Sequence, residues 1–237
     1  MYSFRTSLGP VDLAFTDRYG GVSAAPFDEL NLAVSGPDSL EAKAENHRRL
    51  LSDFAPGVPY ADLYQVHGRD VALARPGERP HADGIVTTDR DVVLLVRMAD
   101  CVPVLLADPD AGVIGAVHAG RRGMAAGVVP ATLARMRELG AGSLTAWLGP
   151  SVCGKCYEVP SALQEEVAAI EPASRATTSW GTPSLDVAAG VRAQLDREGV
   201  STLDAGRCTR ESPDLYSYRR DGAGMSLGAV IRLRGAA

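Results

Sequence analysis

The sequence contains few of the residues that build disulfide frameworks or clusters of metal ions: four cysteines and four histidines in 237 residues. Four cysteines are too few to hold a chain of this length together by disulfides, so we expect reduced thiols. The sequence also lacks an apolar run long enough to cross a membrane, and its first residues lack the apolar core of a signal peptide. We therefore expect a cytoplasmic protein without a membrane partner.

An excess of positive charge is also missing. The net charge is −5 at pH 7, with 24 lysines and arginines against 29 aspartates and glutamates. Domains that bind nucleic acid typically carry a basic stripe, so this balance argues against a nucleic-acid partner. Arginine pairs do occur, as at Arg121-Arg122 and Arg219-Arg220, but they are isolated along the chain. An isolated arginine pair suits a small anion better than a polyanion.

No repeat, low-complexity tract or linker-like segment divides the chain, and 46% of its residues are hydrophobic. This composition is ample for a core, and we expect one domain over residues 1–237. Strand-like runs come in groups and helical patterns in other groups, without a regular βαβ alternation. The pattern predicts an α+β fold in which mixed or antiparallel sheets are flanked by helices. We expect a monomer or a weak homodimer.

The apolar runs bounded by turn-forming residues predict strands at 71–74, 84–87, 92–96, 102–107, 113–118, 144–148 and 229–233. Apolar residues at helical spacing predict helices over about 38–54, 123–139, 161–170 and 185–198. Pro130 lies inside the second helix, so either that helix kinks or two shorter helices meet there. In the opening segment, residues 1–32, we expect strands broken by a turn at Tyr19-Gly20-Gly21. The turn-forming residues 108–112 predict a hairpin.

Three residues with metal-binding side chains lie where strand-like runs end: His67, Cys101 and His118. Two imidazoles and one thiolate suit zinc with an open fourth position, which is typical of catalytic zinc sites. Gaps of 34 and 17 residues separate the three, so only the fold could assemble the site. The alternative for each residue taken alone is a packed core histidine or an inert buried cysteine.

Asp100 precedes Cys101 and is a candidate to accept a hydrogen bond from a ligand histidine, or to act as base for a metal-activated water. An equal alternative is an aspartate that caps a turn. The candidate catalytic residues are therefore Cys101, His118 and Asp100. Copper is the alternative metal, because two histidines and a cysteine also describe a blue-copper site. A multicopper oxidase needs further imidazoles, and only His47 and His81 remain.

The segment from His118 to Gly123 predicts an anion site beside the metal site. Its glycines allow the backbone to approach a ligand, and a helix follows. Arg121 and Arg122 are candidates to clamp a phosphate or carboxylate. The alternative is that both arginines only solvate the start of the helix.

Cys153 and Cys156 form a CxxC pair, which suits a redox pair or half of a zinc site. Because the sequence has no second CxxC and Cys208 is far along the chain, we favour incidental thiols or a site of oxidation over a structural metal.

The chain resembles the YfiH-like laccase-domain proteins, which are also described as polyphenol oxidases and purine nucleoside phosphorylases. The resemblance covers nearly the whole chain, and its motifs are specific in combination. The matching segments are Phe15-Thr16-Asp17-Arg18-Tyr19-Gly20-Gly21-Val22-Ser23, Leu30-Asn31-Leu32-Ala33, Gln65-Val66-His67-Gly68, Ala82-Asp83-Gly84, Ala99-Asp100-Cys101-Val102-Pro103-Val104, His118-Ala119-Gly120, Gly149-Pro150, Tyr157-Glu158-Val159 and Tyr216-Ser217-Tyr218-Arg219-Arg220-Asp221.

The resemblance implies a zinc enzyme whose metal ligands are His67, Cys101 and His118. It implies phosphorolysis of adenosine, inosine, guanosine and methylthioadenosine, and hydrolytic deamination of adenosine. A nucleoside and phosphate are the partners it implies. Arg18 and Asn31 match polar positions near the family's site, so they become candidates for binding substrate. A copper-dependent polyphenol oxidase and a role in peptidoglycan editing are alternative functions attached to the family.

The chain departs from the family pattern at two places. Arg121 stands where the family usually has a tryptophan, which removes an aromatic wall and adds a charge. Gly224-Met225-Ser226 stands where the family usually has Gly-Arg, so one basic contact is missing. A protein that binds a metal or a partner without catalysis is a third hypothesis, because the change at Arg121 could mark a lost active site.

Overall fold

The computed structural model describes residues 1–235, in which most strands belong to two large sheets. The strands are β1 (Tyr2–Leu8), β2 (Val11–Thr16), β3 (Tyr60–Ala61), β4 (Val71–Leu73), β5 (Gly84–Thr87), β6 (Val93–Met98), β7 (Val102–Asp108), β8 (Val113–Ala119), β9 (Thr145–Leu148), β10 (Arg175–Thr177), β11 (Pro183–Leu185), β12 (Ser201–Asp204) and β13 (Leu227–Leu233). The helices are α1 (Leu40–Phe54), α2 (Arg121–Ala126), α3 (Val128–Glu138), α4 (Ser161–Ile170), α5 (Val187–Arg197) and α6 (Tyr218–Asp221), with a 3₁₀ turn at Pro172–Ser174.

Each large sheet mixes antiparallel and parallel pairs. The five-stranded sheet has the order β1-β2-β13-β6-β3, and the six-stranded sheet has the order β12-β9-β7-β8-β5-β4. Parallel pairs occur between β3 and β6, β12 and β9, and β4 and β5. Strands β7 and β8 form the predicted hairpin, in register from Val102 opposite Ala119 to Asp108 opposite Val113. The remaining strands, β10 and β11, form a small antiparallel pair.

The two large sheets pack face to face and helices cover their outer faces, which gives four layers. Because successive side chains point to opposite faces of a sheet, the central strands contribute residues to two cores. In β6, Leu94 and Val96 face the core between the sheets, whereas Val93 and Leu95 face the core under α1. In β7, Leu105 faces the core between the sheets, while its neighbours face α2, α3, α4 and α5. The prediction of an α+β fold with mixed sheets flanked by helices is confirmed.

Helix boundaries follow local chemistry. The Ser39 hydroxyl accepts a hydrogen bond from the Ala42 N–H and caps the start of α1. The helix expected over 123–139 is two helices, α2 and α3, that meet at Gly127 in a left-handed conformation. Pro130 therefore lies in the first turn of α3, where its missing N–H has no cost.

Several sequence predictions were wrong. The first two strands are joined at Gly9 and Pro10, with Gly9 at φ +55, and not at Tyr19-Gly20-Gly21. Residues 17–39 form neither helix nor strand. Side-chain amides supply hydrogen bonds to the backbone of this segment in place of a helix or sheet. The Asn46 Nδ2 atom, for example, donates to the carbonyl oxygens of Glu29 and Asn31. The strand-like run before His67 is also irregular: Leu63 is buried in the core, Tyr64 and Val66 are exposed, and Tyr64 makes only an isolated bridge to His81.

The short elements β3, β10, β11, β12 and α6 were not predicted, since runs of two to four residues carry too little periodicity to recognise. Among the described residues, no helix combines the length and the apolarity that a membrane span needs.

Candidate metal centre and active-site cavity

The fold brings the three candidate metal ligands together. The nearest ligand atoms of His67, Cys101 and His118 all lie within 4.8 Å of one another. The Cys101 sulfur lies 3.8 Å from His67 Nε2, and the two imidazole rings meet edge to face with centroids 4.8 Å apart. His118 is buried, Cys101 is half-buried and His67 is exposed. The group is therefore anchored in the protein on one side and faces solvent on the other.

Each ligand is positioned by a different part of the fold. His118 is within β8, where it pairs with Pro103 of β7. Cys101 lies in the turn between β6 and β7. His67 lies in an irregular loop with φ +59, a conformation that is uncommon for a residue with a side chain. The sequence therefore predicted a strand end correctly near Cys101, whereas His67 depends on a loop held by tertiary hydrogen bonds.

Asp83 supplies those hydrogen bonds. Its Oδ1 accepts from His118 Nδ1 at 2.8 Å and from the His67 N–H at 3.0 Å. Its Oδ2 accepts from the Gly68 N–H at 2.7 Å and from the Val66 N–H at 3.1 Å. The side chain is fully buried. One carboxylate thus orients one candidate ligand and fixes the loop that carries another, a common arrangement around metal-binding histidines.

The ionisation of the Cys101 thiol fits ligand chemistry, whereas His118 must give up a proton to bind a metal. Burial opposes ionisation of the Cys101 thiol, but the charge and hydrogen bond of His118 lower its pKa to about 6. Burial also opposes protonation of His118, but the Cys101 thiolate and Asp83 raise the pKa of His118 to about 9. With Nδ1 directed at Asp83, His118 presents Nε2 to the centre. The thiolate that a metal requires is therefore already favoured by the protein.

Gly120 allows the group to close. A Cβ atom at this position would lie 2.7 Å from His67 Cδ2 and 3.0 Å from the Cys101 sulfur. The backbone at Gly120 is extended, with φ −74, so its conformation does not require glycine. The close approach of two ligand side chains is what excludes a larger residue here.

The donor set fits a zinc ion. Zinc–sulfur and zinc–nitrogen bonds of about 2.3 and 2.0 Å at a tetrahedral angle separate the two donor atoms by about 3.5 Å. The observed separation of 3.8 Å between the Cys101 sulfur and His67 Nε2 is close to that value. These three residues would hold the ion and leave a fourth position for water or substrate.

Asp100 lies beside the group but is directed elsewhere. Its Oδ2 accepts a hydrogen bond from the Arg219 N–H at 2.7 Å, and its Oδ1 accepts one from the Thr209 hydroxyl. The residue adopts φ +84. The structure therefore places Asp100 at a turn where it holds the C-terminal segment, and places Asp83 at the position of histidine acceptor that the sequence analysis considered for Asp100.

The three ligands line a cavity of about 740 Å³, which is within the range of small-molecule sites. The cavity is formed by residues from both halves of the chain: Ala33, Val34, Ser35, Leu63, Tyr64, Gln65, His67, Arg97, Met98, Ala99, Asp100, Cys101, His118, Arg121, Arg122, Val152, Tyr157, Val187, Tyr218, Arg219, Met225 and Ser226. Four arginines and one aspartate are among them, so the lining is cationic.

Arg121 and Arg122 reach this cavity at the start of α2. Within residues 1–235, neither guanidinium has a hydrogen bond or an ion pair. Arg219 also lines the cavity, but it packs over the Tyr157 ring and donates to the Glu158 carbonyl oxygen. The two arginines of α2 are therefore the lining cations available to an anion.

Arg97 is a cavity residue that the sequence analysis missed. It is 5% exposed and forms a buried ion pair with Asp62. Its Nη1 atom is buried without a hydrogen-bond partner in the part of the chain that the structure describes. A single arginine near the end of an apolar strand does not change the apolar pattern that predicts the strand. The sequence therefore did not indicate that Arg97 lines a cavity.

Arg18 and Asn31 lie outside the residues that line the cavity. Arg18 packs over the Tyr216 ring and donates to the Asp28 carbonyl oxygen. Asn31 is fully buried, donates to Asp38 and accepts from the Ser226 N–H at 3.0 Å. The role of these two residues in binding substrate stays a prediction. They hold segment 17–39 against the C-terminal loop, and Asn31 thereby positions Ser226 at the cavity.

Comparison with known proteins gives the family. The family model described as "Multi-copper polyphenol oxidoreductase laccase" matches residues 12–233. The chain belongs to this family. The resemblance to YfiH-like laccase-domain proteins is thereby confirmed, and solved structures show the same fold. A Neisseria meningitidis protein, NMB0706, is 32% identical with a TM-score of 0.88, over 98% of this chain and 99% of that one.

Members of the family with curated names are similar along most of their length. Purine nucleoside phosphorylase SCO2081 of Streptomyces coelicolor is 51% identical over 231 residues, which are 93% of this chain and 95% of that protein. Purine nucleoside phosphorylase Rv2149c of Mycobacterium tuberculosis is 46% identical over 213 residues, which are 87% and 85% of the two chains. The Bacillus licheniformis protein YfiH, 23% identical with a TM-score of 0.84, shares the fold.

Proposed function

We propose that this protein is a zinc-dependent purine nucleoside phosphorylase. The observation that carries the proposal is the position of the guanidinium groups of Arg121 and Arg122, which have no partner within residues 1–235, in the same cavity as the three candidate metal ligands. The names of the relatives point to the same reaction. A cavity of about 740 Å³ has room for a nucleoside and a phosphate ion together.

In this reaction an oxygen of inorganic phosphate forms a bond to the ribose C1′ as the bond from C1′ to the purine nitrogen breaks. The base leaves with the bonding electrons and takes up a proton, and ribose 1-phosphate is the second product. Arg121 and Arg122 would hold the phosphate and orient its attacking oxygen toward C1′. Such positioning supplies much of the rate enhancement in a transfer of this kind. His67, Cys101 and His118 would hold zinc, which supplies Lewis-acid polarisation of a substrate atom.

We propose adenosine, inosine, guanosine and methylthioadenosine as substrates, with deamination of adenosine as a second activity. Phosphorolysis and deamination differ in the attacking molecule and in the attacked carbon, which is the ribose C1′ in one and the purine C6 in the other. The two reactions also differ in their need for phosphate. That difference allows one assay to separate them.

The test is incubation of zinc-loaded protein with adenosine, with and without phosphate, with products separated by chromatography. We expect adenine and ribose 1-phosphate only with phosphate present, and inosine with or without it. A matched sample stripped of metal by a chelator should be inactive and should recover when zinc is restored. Absence of all three products from zinc-loaded protein would refute the proposal.

The substitution Arg121→Gln tests the phosphate site. A charged hydrogen bond contributes about 1.5–3 kcal/mol, so its loss should raise the KM for phosphate by about tenfold or more. The KM for adenosine should change much less, because the guanidinium contacts the anion and not the nucleoside. Steady-state kinetics with phosphate as the varied substrate measures the effect. Arg135→Gln, an exposed arginine on α3 paired with Glu138, is the matched control and should leave both KM values unchanged.

Copper-dependent oxidation of phenols is the second candidate, because the description of the family names it. The donor count argues against a multicopper mechanism. His47 lies on α1 beside Arg97, and His81 stacks on Tyr64, so neither joins the three-ligand group. If this candidate is right, oxygen consumption with a phenol should rise in proportion to bound copper, and zinc-loaded protein should consume none.

A further inference from the structure

A second group of metal-binding side chains lies outside the triad of His67, Cys101 and His118. Ligand atoms of Cys153, Cys156, Cys208 and Glu211 all fall within 4.8 Å of one another. Cys156 is buried, Cys153 and Cys208 are half-buried, and Glu211 is exposed. Incidental thiols or a site of oxidation were expected because the sequence has no second CxxC and Cys208 is 52 residues beyond Cys156. The fold brings Cys208 next to Cys153 and Cys156 in space.

Each half of the group is a turn with two residues between the donors. The Cys156 and Tyr157 N–H groups donate to the Cys153 carbonyl oxygen at 2.9 and 3.0 Å. In the second half, the Ser212 N–H donates to the Cys208 carbonyl oxygen at 3.1 Å. Two donors separated by two residues in a tight turn recur in structural zinc sites, where two such turns face each other. The sequence signal was therefore a CxxC followed by a CxxE.

Backbone hydrogen bonds hold the two turns side by side. The Ser151 N–H donates to the Arg207 carbonyl oxygen at 3.1 Å, and the Thr209 N–H donates to the Ser151 carbonyl oxygen at 3.0 Å. Arg210 Nη1 also donates to the Cys156 carbonyl oxygen at 3.1 Å. The three sulfurs are thus brought together by the backbone of two segments that are distant along the chain. Their convergence does not depend on flexible side chains alone.

We propose that Cys153, Cys156, Cys208 and Glu211 form a second metal site, a structural zinc site with three thiolates and one carboxylate. Zinc is favoured because it binds cysteine thiolates and carboxylates in tetrahedral geometry, and four protein ligands leave no open position for a substrate. The site is independent of the proposed function, since it shares no ligand with the triad.

The position of this site indicates what it does. The Thr209 hydroxyl donates to Asp100, which precedes the triad ligand Cys101. The Val152 N–H donates to the Asp100 carbonyl oxygen at 3.0 Å. Val152 and Tyr157, on either side of the CxxC, line the cavity. A metal bound here would therefore hold one wall of the cavity in place, as a disulfide does in an oxidising compartment.

Metal analysis of the purified, reduced protein tests the site without any assay of activity. Dialysed against zinc and then against buffer, the wild-type chain should retain two zinc ions. Cys101→Ala and Cys156→Ser should each retain one, and the double variant should retain none. Cobalt in place of zinc should give a sulfur-to-cobalt absorption band, and Cys101→Ala should keep most of its intensity because three of the four thiolates remain.

Glu211→Gln tests the same site without replacing a cysteine. Because Glu211 is exposed, this substitution should leave the fold intact. In the Cys101→Ala background it should lower zinc affinity at least about tenfold in competition with a chelator. Glu166→Gln, another exposed glutamate, should leave affinity unchanged. One zinc in the wild type with none in Cys101→Ala would overturn the proposal. A disulfide between two of these cysteines would also overturn it. Mass spectrometry of the zinc-loaded protein without reductant would reveal such a disulfide as a mass two hydrogens lower than that of the fully reduced chain.

Discussion

Replacing Asp83 with asparagine should weaken metal binding at the triad and destabilise the fold. An asparagine has one oxygen and one NH₂ group where the carboxylate has two oxygens. If the oxygen keeps the His118 and His67 hydrogen bonds, the NH₂ group then faces the N–H groups of Gly68 and Val66, which are left without an acceptor. If the amide flips, His118 Nδ1 loses its acceptor instead.

Two effects are expected from this change. Loss of a histidine acceptor beside a metal typically weakens metal affinity by about 10–100-fold, and here the loop that carries His67 is loosened as well. We therefore expect the upper end of that range. Buried donors left unpaired cost about 1–3 kcal/mol each, so the unfolding free energy of the metal-free protein should fall by about 3 kcal/mol.

Zinc competition with a chelator and urea unfolding of the metal-free protein measure the two effects separately. Asp100→Asn is the matched control, since it changes an aspartate of similar burial whose carboxylate contacts Thr209 and Arg219 and no imidazole. It should retain zinc with nearly wild-type affinity. If Asp83→Asn binds zinc as tightly as Asp100→Asn does, the orienting role of Asp83 is wrong.

The sequence predicted the parts of the fold that rest on strong periodicity. Alternating or continuous apolar runs predicted β5 to β9 and β13, and the turn before Val113 predicted their central hairpin. The strand end that carries Cys101 followed from these runs, and so did the strand that contains His118. Short-range patterns therefore located two of the three candidate ligands on their correct elements.

The remainder of the site depends on contacts between distant segments. His67 lies in a loop whose conformation is fixed by Asp83, 16 residues later in the chain. Arg97 is directed inward by its ion pair with Asp62. Cys208 meets the CxxC because an isolated bridge beyond the parallel strands β9 and β12 places residues 151 and 208 side by side. No local pattern encodes these three contacts, and they decide which polar residues act together.

Replacing Gly120 with alanine should impair the same centre by a steric route. The new Cβ atom would lie 2.7 Å from His67 Cδ2 and 3.0 Å from the Cys101 sulfur. Ordinary contact begins at 3.4 Å, so His67 must move by at least about 0.7 Å. A displacement near 1 Å at a reacting centre costs about 100-fold in rate. We expect kcat/KM for the proposed phosphorolysis to fall by about that factor, with weaker zinc binding.

The backbone conformation separates this effect from general strain. Gly120 has φ −74 and ψ 168, which alanine adopts freely, so the unfolding free energy of the metal-free protein should change little. Gly142→Ala is the matched control, because its Cβ would meet nothing closer than an Asp108 oxygen at 4.0 Å. It should leave zinc affinity and rate unchanged. Zinc affinity in Gly120→Ala equal to that of Gly142→Ala would mean that the triad does not close around a metal as its geometry implies.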